Sequence, residues 1–339
     1  MEKRPPLKLI AAMVGVSKMT VSRALKEGTP VDPVMRERIR QAARKLGYQP
    51  DQRISQVMSA IRKSQLPRYR ENLAFVRTHR LDETAHDSSY DEEAAGAHAR
   101  AQQLGYKIDE FHLNGTSMNG RALSRVLHSR GIRSALITPP SRGSHPHVWL
   151  DWKQFCCVLI GRSFANSGLP RVQHDHYFGC VLALRQLKRR RCRRIGLILS
   201  RSMDERSAHL TRSAFISFHP LGPIEGQKLI FIADHFEPRR IRKWMKDCKP
   251  DSFLANFERD FPQLEQLREV GSGNKLIASL NWNEKTSEVP GINQHRSAIG
   301  EQAVDLLLLR LQGNQFGLDP LAPSIKVPGS WVNAVSLHK

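Results

Sequence analysis

Residues 17 to 23, reading SKMTVSR, place hydrogen-bonding and cationic side chains at the start of a short predicted helix. Ser17 is a candidate N-cap, because its hydroxyl can accept a hydrogen bond from an otherwise unpaired backbone N–H. Lys18, Met19 and Arg23 are then free to face outward. A guanidinium at such a position suits a bidentate contact with guanine O6 and N7, and the Met19 side chain suits an apolar contact with a thymine methyl.

A second helix is predicted just before this one. Four apolar residues recur there at helical spacing and predict one buried face: Leu9, Ile10, Met13 and Val14. Gly15 follows, where a helix commonly ends in the left-handed region. Two short helices around a glycine turn, the second with a cationic outer face, form the geometry that enters a DNA major groove.

A third helix is predicted from residue 33. Asp32 is its candidate N-cap and Pro33 occupies its first position, where a missing N–H costs nothing. Gly47 would end it. The three helices predict a small domain of about fifty residues. Its predicted inner face consists of Val34, Ile39, Ala42, Ala43 and Leu46.

The net charge of +21 is unevenly distributed along the 339 residues. Residues 1–70 hold sixteen Lys and Arg against five Asp and Glu, a net charge of +11. The remaining residues hold 37 against 27, a net charge of +10. A dense positive field on the predicted helix-turn-helix suits a polyanion whose counterions are released on binding.

The sequence shows no pattern typical of a disulfide-rich, metal-binding, secreted, membrane or catalytic protein. The five cysteines form no C-x-x-C pair, so we expect reduced thiols in the cytoplasm rather than disulfides or a zinc site. The chain opens without a signal-like apolar run, and no segment approaches the roughly 20 apolar residues that span a bilayer. No HExxH, P-loop, G-x-G-x-x-G or Ser/His/Asp constellation is evident, so we predict no enzyme, cofactor or metal.

Residues 7 to 63 resemble the DNA-binding headpiece of the lactose-repressor (LacI/GalR) family of bacterial transcription regulators. Three blocks carry the resemblance: VGVSKMTVSRAL, VDPVMRERIRQAARKLGYQPD and QRISQVMSAIRKS. The resemblance implies that Lys18, Met19 and Arg23 read bases. It also implies phosphate contacts, which position a protein without specifying sequence, from Ser17, Thr20, Ser22 and Tyr48.

The third block lies where that family has a hinge helix. Residues 51–65 are apolar at helical spacing, but a helix this short is marginal alone. The resemblance implies that it folds on DNA and inserts an apolar side chain into the minor groove. The family's leucine falls at Val57, with Met58 beside it, and this departure leaves the wedging residue open. The alternative is that the segment is a linker.

Beyond Pro67 the pattern alternates between strands and helices. Alternation of this kind builds parallel sheets with helices on both faces, and about 270 residues predict two such lobes. We therefore expect three parts: a headpiece at 1–50, a hinge or linker at 51–67, and an α/β effector-binding and dimerisation domain at 68–339. The resemblance implies a two-lobed, periplasmic-binding-protein-like effector domain. The strands are predicted within ENLAFV, YKIDEFHL, SALITPP, CCVLIG, RIGLILS, LIFIA, SFLANF and KLIASLNW. The predicted helices include DERSAHLTRSAFISF as one element, PQLEQLREV and AIGEQAVDLLLLRLQG.

The resemblance also implies effector-binding positions in the cleft between the lobes. Asp175 lies where the family begins its second lobe, and Arg212 lies near its ligand-binding arginine, with Arg206 or His209 as alternatives. Asn256 matches an Ala-Asn-Asp element in which Phe257 replaces the Asp. Asn281 falls where another acidic sugar contact often lies. The loss of two acidic residues argues against a simple hexose. The alternatives are a ligand stacked on Phe257 or Trp282, or no ligand.

Residues 188–194, KRRRCRR, form the densest charge run in the chain. They are predicted to lie between a helix and a strand. A solvated turn is one interpretation. An anionic effector, such as a phosphorylated metabolite, or a second polyanion contact is the other.

These features predict a dimeric, sequence-specific DNA-binding transcription regulator, most simply a repressor. Its partners would be double-stranded operator DNA, a second copy of the chain and a small-molecule effector, a sugar or a phosphorylated metabolite. Two alternatives remain: an architectural DNA-binding protein of low specificity, and a sugar-binding module with no transcriptional role.

Overall fold

A computed structural model describes most of the chain. The described residues are 7–25, 31–46, 71–78, 88–113, 119–138, 150–161, 168–234, 237–256, 275–284 and 287–334. They fall into two compact units, Met1–Arg68 and Tyr69–Lys339. The predicted hinge at 51–67 lies outside the described residues, as does the predicted helix PQLEQLREV.

The described residues of the first unit form three helices: α1 (Leu7–Val14), α2 (Lys18–Ala24) and α3 (Pro33–Lys45). Gly15 follows α1 with φ +74°, so the predicted left-handed turn is present. Ser17 caps α2 and Asp32 caps α3, each accepting a backbone N–H three residues on. These local predictions are confirmed. The core of the unit includes Ile10, Ala11, Val21, Ala24, Ile39, Ala42 and Ala43.

Three residues predicted to lie in this core are exposed instead. Leu9 and Met13 are 51% and 55% exposed, and Val34 is 70% exposed. The buried stripe of α1 runs one residue later than predicted, through Ile10 and Ala11. Each side chain of a helix covers a limited arc, so this rotation of the buried stripe leaves Leu9 and Met13 outside it.

The second unit contains two parallel or mostly parallel six-stranded sheets, so the predicted two-lobed α/β architecture is confirmed. The first sheet has the order β11-β5-β4-β3-β1-β2, and all its described pairs are parallel. Its core packs buried strand residues such as Phe75 and Val158 against helix residues such as Leu307. Its strands are β1 (Leu73–Arg77), β2 (Ile108–His112), β3 (Ser134–Ile137), β4 (Cys156–Ile160), β5 (Arg171–His174) and β11 (Ser324–Val327).

The second sheet has the order β12-β10-β9-β8-β6-β7, and only its β10–β12 pair is antiparallel among the described residues. Its strands are β6 (Ile195–Ser200), β7 (Ile230–Ala233), β8 (Ser252–Asn256), β9 (Leu276–Trp282), β10 (Gly291–Asn293) and β12 (Ser330–Val332).

The described helices of the second unit are α4 (Ser88–Gln103), α5 (Gly120–Ser129), α6 (His176–Arg189), α7 (Arg201–Arg206), α8 (Leu210–Phe218), α9 (Pro223–Lys228), α10 (Pro238–Cys248) and α11 (Arg296–Gln312).

The chain passes between the two lobes three times. It leaves the first sheet after β5, returns after β10 to form α11, which packs on α4, and crosses again between β11 and β12. Because β5 and β10 both end at these crossings, the carboxyl ends of the strands in both sheets point toward the boundary between the lobes. Ligands of open α/β sheets bind at such edges.

Glycines set the distance between α4 and α11. A Cβ on Gly96 would overlap the backbone of Ser297, and a Cβ on Gly300 would overlap the backbone of Glu93. The two helices therefore meet backbone to backbone at these positions. This close approach brings the start of α11 against α4 at the boundary between the lobes.

The predicted helix DERSAHLTRSAFISF is wrong as a single element. The structure divides it into α7 and α8 at Ala208 and His209, which have φ values of 49° and 61°. Asp204 explains the break, because its carboxylate contacts both His209 and Arg212 across the turn. The short elements α9 and β10 were not predicted, because six and three residues are too few to show a period.

Candidate DNA-binding and effector sites

The recognition helix α2 presents the predicted outward face. Met19 is 63% exposed, and Lys18 and Arg23 are also exposed, whereas Val21 is fully buried. The Ser17 hydroxyl accepts the backbone N–H of Thr20 at 3.1 Å and lies 2.9 Å from the Thr20 hydroxyl. The helix therefore carries two cationic side chains and one apolar side chain on a face fixed by its cap.

The structure does not describe several of the residues that are predicted to contact DNA. Tyr48, Val57 and Met58 lie outside the described residues, and the side chain of Ser22 is not described. Their contacts with DNA therefore stay predictions, as do those of Ser17, Lys18, Met19, Thr20 and Arg23.

Arg296 links the two lobes at the carboxyl end of β9. Its Nη2 donates to Asn281 Oδ1 at 2.7 Å, and its Nη1 lies 3.3 Å from Glu93 Oε1 on α4. The Glu93 and Arg296 side chains are 7% and 15% exposed. Asn281, a predicted effector residue, thus already accepts a hydrogen bond from within the protein. Arg296 was not predicted from the sequence, because its partners Glu93 and Asn281 are not its neighbours along the chain.

A second polar cluster surrounds Asp204, whose side chain is 5% exposed. Its Oδ2 lies 2.8 Å from His209 Nδ1 and 3.5 Å from Arg212 Nε. The structure therefore places both His209 and Arg212, two of the candidates for the ligand-binding position, on one buried carboxylate. Asp204 was not predicted from the sequence, although it lies five and eight residues before these two partners and this spacing was a usable signal.

The remaining effector candidates have different surroundings. Asp175 accepts the backbone N–H of Phe178 at 3.1 Å and caps α6. Arg206 is half-buried at the end of α7. Asn256 ends β8 and is buried, and Trp282 ends β9 with its indole nitrogen buried. Phe257 lies outside the described residues.

Arg77 anchors a charged network at the carboxyl end of β1. It donates to Glu110 Oε2 at 2.9 Å and to Asp91 Oδ1 at 3.0 Å, and His98 lies 3.0 Å from the other Glu110 oxygen. Burial alone would raise the pKa of Glu110, but the hydrogen bonds from Arg77 and His98 hold that pKa below its ordinary value. The network therefore keeps a carboxylate ionised at this edge.

Burial raises the pKa of all five cysteine thiols, which disfavours the reactive thiolate form. All five cysteines are free, and burial raises the pKa of Cys156 to about 11 and raises the pKa of Cys157 and Cys180 further. Within the described ranges no group of three metal-ligating side chains occurs. Among the helices that the structure describes, none is both long and apolar enough to cross a membrane.

Residues 7–51, which include the whole of α1 to α3, match the family of bacterial regulatory proteins called the lacI family. The match covers the three-helix headpiece, so the similarity to this family is shown for these residues. The HTH-type transcriptional regulator CelR of Thermobifida fusca is 41% identical over 49 residues, a stretch that covers 14% of this chain and 14% of CelR. The lacI-family resemblance predicted from the headpiece motif is therefore confirmed.

Solved structures of lacI-family regulators share the fold over nearly the full length. The transcriptional regulator CelR–cellobiose complex has a TM-score of 0.58 and 18% identity, and covers 97% of this chain and 98% of its own. The lac repressor dimer bound to operator and the anti-inducer ONPF has a TM-score of 0.52 and 18% identity with the same coverage. A lacI-family regulator from a Rhodococcus species has a TM-score of 0.58 and 14% identity, and covers 78% of this chain and 98% of its own.

Proposed function

We propose that this chain is a sequence-specific transcription regulator of the lacI family that binds operator DNA as a homodimer and acts as a repressor in the cytoplasm. The observation that carries the proposal is the capped recognition helix α2, whose exposed face holds Lys18, Met19 and Arg23. A helix of this kind reads base edges from the major groove, and a dimer reads two half-sites one turn apart.

A small molecule bound between the lobes would modulate this affinity. Its binding residues would come from the carboxyl ends of the strands, where Asn256, Asn281 and Trp282 end β8 and β9 and Arg212 lies close to Asp204. A ligand that contacts Asn281 would have to compete with Arg296, so binding would separate or rearrange the two lobes. Allostery requires such a difference in affinity between two states.

A carbohydrate is the effector class we favour. Amide side chains and buried ion pairs at the cleft edge offer both donors and acceptors to hydroxyl groups. The structurally similar regulators CelR and lac repressor were solved with cellobiose and with ONPF or ONPG bound, respectively. A phosphorylated metabolite is the second candidate, since Arg77 and Arg296 both lie at this boundary. We propose no catalytic activity.

The deciding experiment is selection of bound duplexes from a random DNA pool with the purified full-length protein at physiological salt. We expect a palindromic motif with half-sites about 10 base pairs apart, centre to centre. Tight binding without enrichment of any motif would contradict the proposal and favour the architectural alternative. Absence of DNA binding would favour the sugar-binding alternative.

A further inference from the structure

The ten residues 185–194 carry most of the excess charge of the second unit. They contain seven Lys and Arg and no Asp or Glu, whereas all of residues 71–339 have a net charge of +10. Every exposed residue among the ten is basic: Arg185, Lys188, Arg189, Arg190, Arg191 and Arg193. The segment ends α6 and leads into β6, so it lies at the amino end of a strand and away from the carboxyl edges that face the other lobe.

The backbone of this segment is held in place. Asp251 Oδ2 accepts the backbone N–H groups of Arg193 at 2.7 Å and Arg194 at 2.8 Å. The Arg194 side chain turns inward and donates to Cys248 O at 2.6 Å. Asp251 and Arg194 therefore fix the loop. The neighbouring guanidinium groups are presented from a rigid support, which lowers the entropy lost when they bind an anion.

Further cations adjoin the loop through these contacts. The Cys248 thiol lies 3.4 Å from Lys228 O, which joins the ends of α9 and α10. Lys246 and Lys249 at the end of α10 are exposed. We call the set Lys188, Arg189, Arg190, Arg191, Arg193, Lys228, Lys246 and Lys249 the distal basic surface.

Helix stability does not account for this surface. Cations in the last turn of a helix favour its dipole, which explains Lys188 and Arg189 on α6. Arg191 and Lys249 follow their helices in the left-handed conformation, with φ values of 66° and 45°. Two residues after the end of α4 and α5, at the position that corresponds to Arg191, the chain has glycine instead, at Gly105 and Gly131. A side chain at this conformation is strained, so glycine would be the more stable residue at both sites.

We infer that the distal basic surface is a second DNA-binding surface, which contacts the phosphates of double-stranded DNA without reading sequence. Guanidinium groups suit phosphate because they donate two parallel hydrogen bonds. Residues 185–194 contain no aromatic side chain on which single-stranded bases could stack, and none of their exposed side chains is apolar. The neighbouring Trp331 ring is already covered by the Arg190 guanidinium, which lies 5.1 Å from the ring centroid. The inference rests on the proposed function, in which α2 already brings the protein to double-stranded DNA.

The test compares two full-length variants of equal charge. The first, R189Q/R191G/R193Q/K249G, removes four cations from the distal basic surface. The second, K107Q/R121Q/R125Q/K153Q, removes four exposed cations from the first lobe. Affinity for a random-sequence 40-base-pair duplex is measured against salt concentration, and thermal unfolding confirms that both variants fold.

We expect the first variant to lower the slope of log K against log salt by about 3 to 4, at about 0.9 per phosphate contact, and the control to lower it by less than about 1. The single variants R191G and K249G should each unfold at a higher temperature than the natural chain and still bind random duplex more weakly. A merely structural role would not combine these two effects. Because the duplex carries no operator, this result does not depend on whether the selection experiment finds a motif.

Three outcomes would overturn the inference. The first is an equal fall in slope for both four-fold variants, which would mean that only net charge matters. The second is unchanged duplex affinity for the distal variant. The third is unchanged duplex affinity together with lost binding to vesicles of equal phosphatidylglycerol and phosphatidylcholine, or to single-stranded RNA, which would assign the surface to that partner instead.

Discussion

In the proposed function, individual side chains on α2 have different roles, some in reading bases and others in positioning the helix on DNA. Arg23 is exposed and lies two residues after the buried Val21. Its side chain can therefore contact DNA, or be replaced, without disturbing the headpiece core. Met19 has no hydrogen-bonding capacity to offer. The specificity of the headpiece should therefore depend on Arg23 and Lys18 more than on Met19.

Arg23→Ala is expected to weaken binding to the selected motif by about 1–3 kcal/mol, because one bidentate base contact is lost. Affinity for random duplex should fall much less. Gel-shift titrations on both duplexes measure the two effects. Lys45→Ala, at the end of α3, is the matched control and should affect both duplexes alike. Equal losses on the two duplexes for Arg23→Ala would count against its base-reading role.

Arg296→Met is expected to destabilise the second unit by about 3–5 kcal/mol, because it breaks the buried ion pair with Glu93 and removes the hydrogen bond to Asn281. Denaturant unfolding measures this loss. The double variant Glu93→Gln/Arg296→Met should recover part of it, since the neutral amide no longer needs a cation. If the losses from the two single variants simply add, Arg296 does not act through Glu93.

Residue-scale prediction from the sequence succeeded where the cause is local. Ser17 and Asp32 each cap a helix through an atom three residues away, and both were predicted. Arg296 depends on Glu93, which is 203 residues distant in sequence. No spacing rule links such a pair, so it emerges only from the fold.

At the scale of elements, the pair α4 and α11 depends on the absence of two side chains. Alanine is the better helix former by about 0.5–1 kcal/mol, yet glycine stands at both contact points, Gly96 and Gly300. The backbone of the partner helix occupies the space that a methyl group would need.

Gly300→Ala is therefore expected to destabilise the second unit by about 1–3 kcal/mol in spite of its gain in helix propensity. The free energy of unfolding in urea measures the effect. Glu301→Ala, at an exposed position of the same helix, should change stability by no more than about 0.5 kcal/mol. A stabilised Gly300→Ala variant would mean that the two helices separate freely.

Long elements were predicted well because their periods repeat. The strand CCVLIG and the helix AIGEQAVDLLLLRLQG appear as β4 and α11 within two residues of the predicted limits. The break between α7 and α8 was missed, because Ala208 and His209 are not residues that mark a left-handed turn. The buried carboxylate of Asp204 overrides their local preference.

At the scale of the whole second unit, the three crossings between the lobes meet around the buried His174 ring. A Cβ on Gly179 would lie 2.7 Å from His174 Nε2, and one on Gly329 would lie 2.9 Å from His174 Cε1. Burial, with the charges of His176 and Arg296, holds the pKa of His174 well below its ordinary value. His295 adds a further positive charge when it is protonated.

The free energy of unfolding should consequently fall as the pH drops below about 6.5. In this range His174 binds a proton in the unfolded chain but stays unprotonated in the folded chain. We expect a loss of about 1 kcal/mol from this group between pH 7 and pH 5.5. Urea unfolding across this range measures it, and His174→Gln should flatten the profile. His112 and His219 also have lowered pKa values, so part of the dependence should persist. An unchanged profile in the variant would contradict this role of His174.

The three crossings also determine when the first lobe can be completed during synthesis. Its sheet begins with β1 at Leu73, but the helix that covers Phe75 and Val158 is α11, which starts at Arg296, and its edge strand β11 comes later still. A ribosome adding about 5–20 residues per second needs on the order of ten seconds to pass from β5 to the end of α11. During that interval the nascent chain exposes one apolar face of a nearly finished sheet. A message truncated before codon 296 should therefore yield an aggregating product, and production of the intact protein should depend on chaperones that bind nascent chains.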